Sequence, residues 1–149
     1  MNIVTSDTVR IGVAGCGVVS DYGHLPAIHA TADIQLVAVA DPNQDRRRTE
    51  QDKYGVPGYP DLAAMLANER LDAVSLPVQP DIKLELVRTA AQHGLHVFSE
   101  KPLSDTVEQA EEIIRLMDDA GCFLAIAFIY RGKEVVRRMK TLIDDGAIG

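Results

Sequence analysis

The sequence predicts an α/β fold, a doubly wound domain in which one parallel sheet lies between two layers of helices. Short apolar stretches typical of buried strands alternate with helical segments along the chain. Connections of this length join parallel strands through right-handed crossovers. A glycine-rich turn also follows the first apolar stretch, at the point where a strand passes into a helix. The 149 residues, 46% hydrophobic and 25% charged, are typical of a single globular domain, so residues 1–149 are predicted to form one dinucleotide-binding unit.

Apolar stretches bounded by turn residues predict the strands. They are Val9–Ala14, Ile34–Ala40, Ala73–Leu76, His96–Ser99 and residues 123–127, with room for only a very short strand within residues 55–60. Helices are predicted from residue 18, with a bend near Gly23 and Pro26, and over residues 43–54, 61–68, 80–93 and 133–144. A further helix begins at a cap on Ser104 or Asp105 and ends at Gly121.

The last two predicted helices carry apolar residues at helical spacing, and we expect these residues to face the core. In the helix that ends at Gly121 they are Val107, Ala110, Ile113, Ile114 and Met117. In the final helix they are Val136, Met139 and Ile143.

The glycine-rich turn has the spacing of a dinucleotide-binding fingerprint. Gly15 suits the tight turn, Gly17 leaves bare backbone for a diphosphate, and Ser20 stands where a third glycine or alanine is usual. Free N–H groups at the start of the following helix would supply the anion site. The same spacing also occurs in tight turns without a binding function, so its context decides the interpretation.

Asp41 ends the second predicted strand, where a carboxylate receives the ribose hydroxyls of NAD. The alternative is that Asp41 only caps the next helix, with Pro42 in the first helical position. A negative charge here repels a 2′-phosphate and therefore favours NAD over NADP. The neighbouring Arg46, Arg47 and Arg48 either face solvent or provide one side chain for that phosphate, which keeps NADP as the alternative cofactor.

Composition excludes other classes of function. A formal net charge of −7 argues against nucleic acid as a partner, and the chain lacks the roughly 20-residue apolar stretch of a membrane span. Two cysteines, Cys16 and Cys122, are too few for a disulfide framework, and residues 1–8 lack a signal-peptide pattern, so a cytoplasmic protein is predicted. The histidines lack the spacing of metal ligands, so no metal site is predicted.

Two further motifs complete a pattern that is similar to a known family. The glycine turn is followed by the run His24-Leu25-Pro26-Ala27-Ile28, and the strand ending at Ser99 leads into Glu100-Lys101-Pro102. From about residue 9 onward the chain resembles the N-terminal domain of the glucose–fructose oxidoreductase, inositol dehydrogenase and MocA family. The resemblance implies a nicotinamide-dependent oxidoreductase acting on sugars, polyols or similar hydroxyl compounds.

The resemblance also implies roles for particular residues. Lys101 would be the catalytic residue, shuttling a proton beside the nicotinamide while Glu100 orients it or binds ribose, and Pro102 would follow a cis peptide bond. The alternative for Glu100 and Lys101 is a surface ion pair, and His24 lies close enough to the glycine turn to touch the cofactor. The implied cofactor contacts are Gly12, Gly15, Gly17, Val18, Val19, Asp41, Pro77, Gln79, Glu100 and Lys101.

Two departures from the family pattern qualify this expectation. Lys83 stands where the family usually has a histidine, and Gly149 stands where the family passes into a second, α+β domain that walls the substrate pocket and brings the catalytic histidine. We therefore expect turnover to need a second chain or domain, with a non-catalytic dinucleotide-binding regulator or a scaffold as the alternatives. Apolar residues left uncovered predict self-association, most simply as a dimer: Phe123, Phe128, Ile129, Val135 and Ile148.

Overall fold

The computed structural model describes residues 8–148. The N-terminal segment 1–7, part of the region searched for a signal peptide, and Gly149 lie outside the described residues. The described chain contains a six-stranded sheet in the order β3-β2-β1-β4-β5-β6, and every pair of neighbouring strands is parallel. The strands are β1 (Val9–Ala14), β2 (Ile34–Ala40), β3 (Gly58–Tyr59), β4 (Ala73–Leu76), β5 (His96–Ser99) and β6 (Leu124–Ile126).

Helices connect successive strands and lie on both faces of the sheet. They are α1 (Leu25–Ala30), α2 (Gln44–Tyr54), α3 (Leu62–Asn68), α4 (Lys83–Gln92), α5 (Val107–Asp119) and α6 (Glu134–Asp144). One buried cluster lies on the α1 face of the sheet and includes Leu25 and Ile28. The other lies beneath α3, α4 and α5 and includes Met65, Val87 and Ile113. The predicted doubly wound, three-layer α/β fold is confirmed.

The first connection differs from a plain bent helix. Helical winding begins at Val18, passes through a π-helical turn at Ser20–His24 and continues directly into α1, where Pro26 lies in the first turn. Because proline has no N–H with which to continue the helical hydrogen bonds, the winding changes type directly before it. The predicted disturbance near Gly23 and Pro26 is therefore a change of helix type.

The alternative interpretation of Asp41 as a helix cap does not hold, and the predicted cap at Ser104 or Asp105 is wrong. The Asn43 side chain, not that of Asp41, accepts the N–H groups at the start of α2, and Pro42 lies before that cap. Thr106, not Ser104 or Asp105, caps α5 by accepting from the N–H of Gln109. The predicted Asp61 cap of α3 is confirmed, since its carboxylate accepts from Ala64 N.

The β6 end of the structure leaves apolar surface exposed. No residue of α6 is buried, and the prediction that Met139 and Ile143 face the core is wrong, because they are 53% and 55% exposed. In α5, Ile113 and Met117 are buried, but Val107 and Ile114 are exposed. Helical spacing identifies an apolar face without identifying what covers it, and the described residues do not cover these positions.

Candidate functional site

A crevice runs along the carboxyl ends of the strands, where open α/β sheets bind ligands. It consists of adjoining cavities, which we call the strand-end cavity, the glycine-loop cleft and the lysine cavity. The strand-end cavity, about 360 Å³, lies beside Asp41 and Pro60. The glycine-loop cleft, about 470 Å³, shares its walls at Gly17, Arg46, Pro77 and Gln79.

The lysine cavity, about 410 Å³, adjoins the glycine-loop cleft at Val19 and contains Glu100 and Lys101 in its wall. Its far wall comes from the segment after β6, including Phe128 and Tyr130. The three adjoining cavities therefore form a row from Asp41 at the end of β2 to Lys101 after β5. Apart from Gly12, every residue proposed from the sequence as a cofactor contact lines it.

The two glycines of the β1–α1 turn have different physical roles. Gly15 has a φ of +112°, a conformation that side chains disfavour, and a Cβ there would approach Val78 Cγ1 to 2.6 Å. Gly17 has no atom within 4 Å of the position that a Cβ would take. Gly15 is therefore required by the protein itself, whereas the space at Gly17 is open and available to a ligand.

Gly12 lies elsewhere. It is buried in β1, and a Cβ added to it would come within 2.5 Å of Met65 Sδ and 2.7 Å of Leu71 Cδ1. The missing side chain thus allows close packing of the helix layer on the sheet. The structure places Gly12 in the core and not in the crevice wall.

Asp41 ties the glycine turn to the start of α2. One carboxylate oxygen accepts from the N–H of Cys16 at 2.7 Å and the other from the N–H of Asn43 at 2.8 Å. The residue is only 7% exposed, and the Arg47 guanidinium donates to its carbonyl oxygen at 2.6 Å. Because each carboxylate oxygen has a second lone pair, this arrangement leaves acceptor capacity toward the strand-end cavity.

The three consecutive arginines of α2 lie in different environments. Arg46 lines both the strand-end cavity and the glycine-loop cleft, Arg47 bonds the end of β2, and Arg48 is exposed. Arg46 is thus the member of the run that faces the crevice.

Glu50 is a residue that sequence reasoning missed. Its side chain lines the glycine-loop cleft although the residue is only 3% exposed, and its Oε2 has no hydrogen-bond partner among the described residues. Burial raises the pKa of this carboxyl, and the negative charge of Asp21 raises it further, against a smaller opposing effect of Lys53. The signal was available, since Glu50 lies four residues before Tyr54, the one aromatic residue of α2, and shares its inward face.

Cys16 occupies the bend of the glycine turn without being reactive. Burial, together with the negative charges of Asp41 and Glu50, raises the pKa of its thiol to about 12. Since the thiolate is the nucleophile, this thiol is inert at neutral pH. The prediction that Cys16 is a reduced core thiol is consistent with its 4% exposure and free state.

The Glu100–Lys101–Pro102 turn lies at the other end of the crevice. Lys101 is exposed in the lysine cavity, and its N–H donates to Glu100 Oε2 at 3.0 Å. The peptide bond between Lys101 and Pro102 is cis, as the resemblance implied.

His24 supports this turn from below. It is 6% exposed, and its Nε2 lies 3.2 Å from Glu100 Oε1 while its Nδ1 lies 2.7 Å from Ser75 Oγ. Because a carboxylate can only accept, Nε2 carries the hydrogen and a neutral ring accepts from the Ser75 hydroxyl at Nδ1. His24 therefore contacts Glu100, the residue beside the crevice, and holds its carboxylate in one orientation.

Lys83 supports the same turn from the α4 side. The side chain is fully buried, and its ammonium donates to the carbonyl oxygens of Glu100 and Pro102. Burial lowers the pKa of Lys83, and the positive charge of Lys101 adds to that effect, while Glu100 opposes it. The lysine that departs from the family pattern is thus bonded to both peptide carbonyls that flank Lys101.

Within residues 8–148, no cluster of histidine, cysteine, aspartate and glutamate could hold a metal ion. None of the helices described there is long and apolar enough to span a membrane.

Comparison with known proteins identifies the family. Residues 9–128 match the model of an oxidoreductase family described by its NAD-binding Rossmann fold. The chain belongs to this family. The predicted resemblance is confirmed, as is the cofactor class, NAD with NADP as the alternative, at the level of the family.

Individual relatives agree with this assignment. A D-xylose 1-dehydrogenase (NADP⁺) of Haloferax volcanii is 34% identical over 134 residues, which are 89% of this chain and 40% of the relative. A dTDP-3,4-didehydro-2,6-dideoxy-α-D-glucose 3-reductase of Actinomadura kijaniata is 30% identical over 99% of this chain and 45% of its own length. The chain thus spans less than half the length of these curated relatives.

A solved structure shows the same fold. The WlbA dehydrogenase of Bordetella pertussis, in complex with NADH and UDP-GlcNAcA, superposes with a TM-score of 0.89 at 28% identity. The match covers 95% of this chain and 43% of that protein.

Proposed function

We propose that this chain binds a nicotinamide dinucleotide and serves as the cofactor half of an oxidoreductase. The reaction transfers a hydride between the nicotinamide and a hydroxyl-bearing carbon of a sugar or polyol. The observation that carries the proposal is the row of adjoining cavities, with open backbone at Gly17 and a lysine beside a carboxylate at its far end. The relatives support it, since they include sugar dehydrogenases and reductases.

The residues of the crevice fit such a ligand. The N–H groups from Gly17 onward are suited to a diphosphate, which needs donors and no side chain at Gly17. Asp41 retains lone pairs for ribose hydroxyls, and its charge favours NAD over NADP. A bound nicotinamide supplies the hydride chemistry.

The protein's own contribution to the reaction is proton movement and orientation. The reacting hydroxyl must lose or gain a proton as its carbon exchanges the hydride, and we assign that transfer to the Lys101 ammonium. Glu100, fixed by His24, accepts the Lys101 N–H and so orients this end of the crevice. Val18, Val19, Pro77 and Gln79 form the walls between the two ends.

A variant at Gly17 tests dinucleotide binding without disturbing the fold. In Gly17→Ala the added methyl group meets no protein atom, so stability is unchanged, but it occupies the space proposed for the diphosphate. We expect NADH affinity, measured by calorimetry or nicotinamide fluorescence, to fall by at least about tenfold. Gly132→Ala, which likewise adds a methyl group in open space, is the matched control and should bind as the wild type does. Equal NADH affinity in all three proteins contradicts this placement of the diphosphate.

A second experiment separates the enzyme from a non-catalytic dinucleotide-binding regulator. Lys101→Met should retain NADH binding and abolish oxidation of sugars and polyols in an assembly that turns over. Binding without turnover by the wild type, alone or with a partner chain, favours the regulator.

We further propose that the chain acts as an oligomer or with a partner chain that completes the substrate pocket. Large apolar side chains from residue 123 onward are exposed, and exposed apolar surface of this kind is typical of an interface. They are Phe123, Phe128, Ile129, Val135 and Ile148, between 47% and 63% exposed. Light scattering should show a dimer at working concentration, and a monomer would contradict self-association.

The free thiols of Cys16 and Cys122 support a reducing, cytoplasmic location.

A further inference from the structure

The glycine-loop cleft contains a carboxyl group that nothing in the fold explains. Glu50 projects from α2 into the wall of this cleft beside Gly17 and Thr49. The residue is only 3% exposed, and its Oε2 is buried and has no hydrogen-bond partner among the described residues. Buried polar atoms are almost always hydrogen-bonded, so an unpartnered oxygen on a carboxyl group in the wall of a cleft indicates that a partner is missing.

The charges around Glu50 do not neutralise it. From its own helix, the positive charge of Lys53 acts on Glu50, but the Lys53 ammonium is paired with the Asp21 carboxylate. Asp21, on the π-helical turn, is a second negative charge facing Glu50.

Further titratable and charged groups approach from the glycine turn, from the end of β2 and from the first turn of α2. Cys16 carries no charge at neutral pH, and Asp41 is negative. Arg46 and Arg47 are positive, but Arg47 bonds the Asp41 carbonyl oxygen. At Glu50 itself, burial and the negative charge of Asp21 outweigh the opposing charge of Lys53, so this environment raises the pKa of the carboxyl and favours the neutral acid.

We propose that Glu50 is a proton-linked binding residue of the glycine-loop cleft, whose protonated carboxyl donates its O–H to an anionic diphosphate bound there. The proposal rests on the dinucleotide-binding function proposed above. A carboxylate can only accept hydrogen bonds and repels a diphosphate, whereas the acid form is a donor. The ligand's negative charge in turn stabilises the protonated form.

A coupling between dinucleotide and proton follows from this role. Wherever Glu50 is partly ionised in the free protein, binding takes up a proton, and the affinity decreases as the pH rises. We expect the Kd for NADH to increase by at least about threefold between about pH 6 and about pH 8.5.

Calorimetric titration with NADH measures both quantities. Titrations in two buffers of different ionisation enthalpy give the number of protons bound, and titrations across the pH range give the change in Kd. Glu50→Gln keeps the size of the side chain and carries a permanent N–H donor. This variant should bind NADH with no proton uptake and with an affinity that no longer decreases with pH.

Asp52→Asn is the matched control, because it removes one negative charge from an exposed position of the same helix. It should retain the wild-type proton uptake and pH dependence. Identical pH dependence in Glu50→Gln and wild type overturns the proposal.

The wild-type measurement keeps the test decisive if Glu50→Gln does not fold. NADH binding by the wild type without proton uptake overturns the role of Glu50 and leaves the proposed function standing. A wild type that binds neither NADH nor NADPH overturns the proposed function and the role of Glu50 with it.

Discussion

The buried polar groups at the two ends of the crevice differ in whether they have hydrogen-bond partners. At the lysine end, Ser75, His24 and Lys83 are all buried, and each has hydrogen-bond partners within the protein. At the glycine-loop end, Glu50 Oε2 and the Ser20 hydroxyl are buried and have no hydrogen-bond partner within residues 8–148. Paired groups fix the position of neighbouring residues, whereas a buried group without a partner retains the free-energy cost of its desolvation.

A similar contrast exists between two acids near the glycine turn. Asp41 has one N–H bound to each carboxylate oxygen and so holds the turn against α2. Glu50 lies one helix turn beyond Arg46, and its Oε2 accepts no hydrogen bond from the described residues. The two carboxylates therefore have different expected consequences when they are replaced.

Replacement of Lys83 is expected to have the largest effect. Lys83→Ala leaves a cavity and two buried carbonyl oxygens without donors, and should lower the free energy of unfolding by about 3–5 kcal/mol. Lys83→Met keeps the packing, and its free energy of unfolding should fall by about half as much. Both are measured by urea denaturation.

The pH dependence provides a second test at Lys83. Since the pKa of Lys83 is lowered in the folded protein, the unfolded chain binds more protons in the window below the ordinary value of 10.5. This contribution therefore makes the wild type more stable as the pH rises toward that value. The stability difference between wild type and Lys83→Met should grow over the same range. A constant difference would mean that Lys83 is not a buried cation.

His24→Leu should cost about 2 kcal/mol, because both the Ser75 hydroxyl and Glu100 lose a partner. The double variant with Ser75→Ala measures the pairing directly. Once the imidazole is absent, the further loss on removing the hydroxyl should be smaller by about 1 kcal/mol than in the wild type. Strict additivity of the two losses contradicts the hydrogen-bonded chain through His24.

Asp41→Asn should cost about 1–2 kcal/mol, because an amide has only one oxygen to accept the N–H groups of Cys16 and Asn43. Removing the charge also removes the repulsion of a 2′-phosphate. The ratio of NADPH to NADH affinity should then rise by about fivefold, as measured by fluorescence titration. An unchanged ratio would argue that Asp41 only organises the turn.

Glu50→Gln is expected to have the smallest effect on stability, and of the opposite sign. Because the Glu50 pKa is raised from 4.5, the folded protein binds more protons than the unfolded chain above that pH, and stability is lost as the pH rises. The variant should match the wild type near about pH 4 and be more stable by up to about 1 kcal/mol near about pH 8. The same gain in Asp52→Asn would show that net charge is the cause.

The sequence predicted the sheet and the path of the crevice because both depend on local patterns. Strand bounds follow from apolar stretches between turn residues, and β1, β2, β4 and β5 lie where the pattern places them. The tight turn at Gly15 was likewise predicted from a motif, whereas the cis bond before Pro102 was implied by the family resemblance. The strand order then brings the carboxyl ends of β1, β2, β4 and β5 to the same edge of the sheet.

The remaining features depend on partners distant in sequence. Lysine is rarely buried, and the complete burial of Lys83 follows only from carbonyl oxygens that are 17 and 19 residues away. The charged composition of α2 concealed Glu50, because a run of charges usually faces solvent. In α6 the apolar face was evident, but amphipathicity does not specify the surface opposite, so Met139 and Ile143 were wrongly placed.

The high pKa of Cys16, about 12, has a practical consequence for spectroscopy. Maleimide reagents attack thiolates, so at neutral pH they will modify the half-buried Cys122 and spare Cys16. Cys122 lies between α5 and β6 and lines none of the three crevice cavities. A single fluorophore can therefore be attached to the native sequence, giving a reporter of assembly that leaves the crevice unmodified.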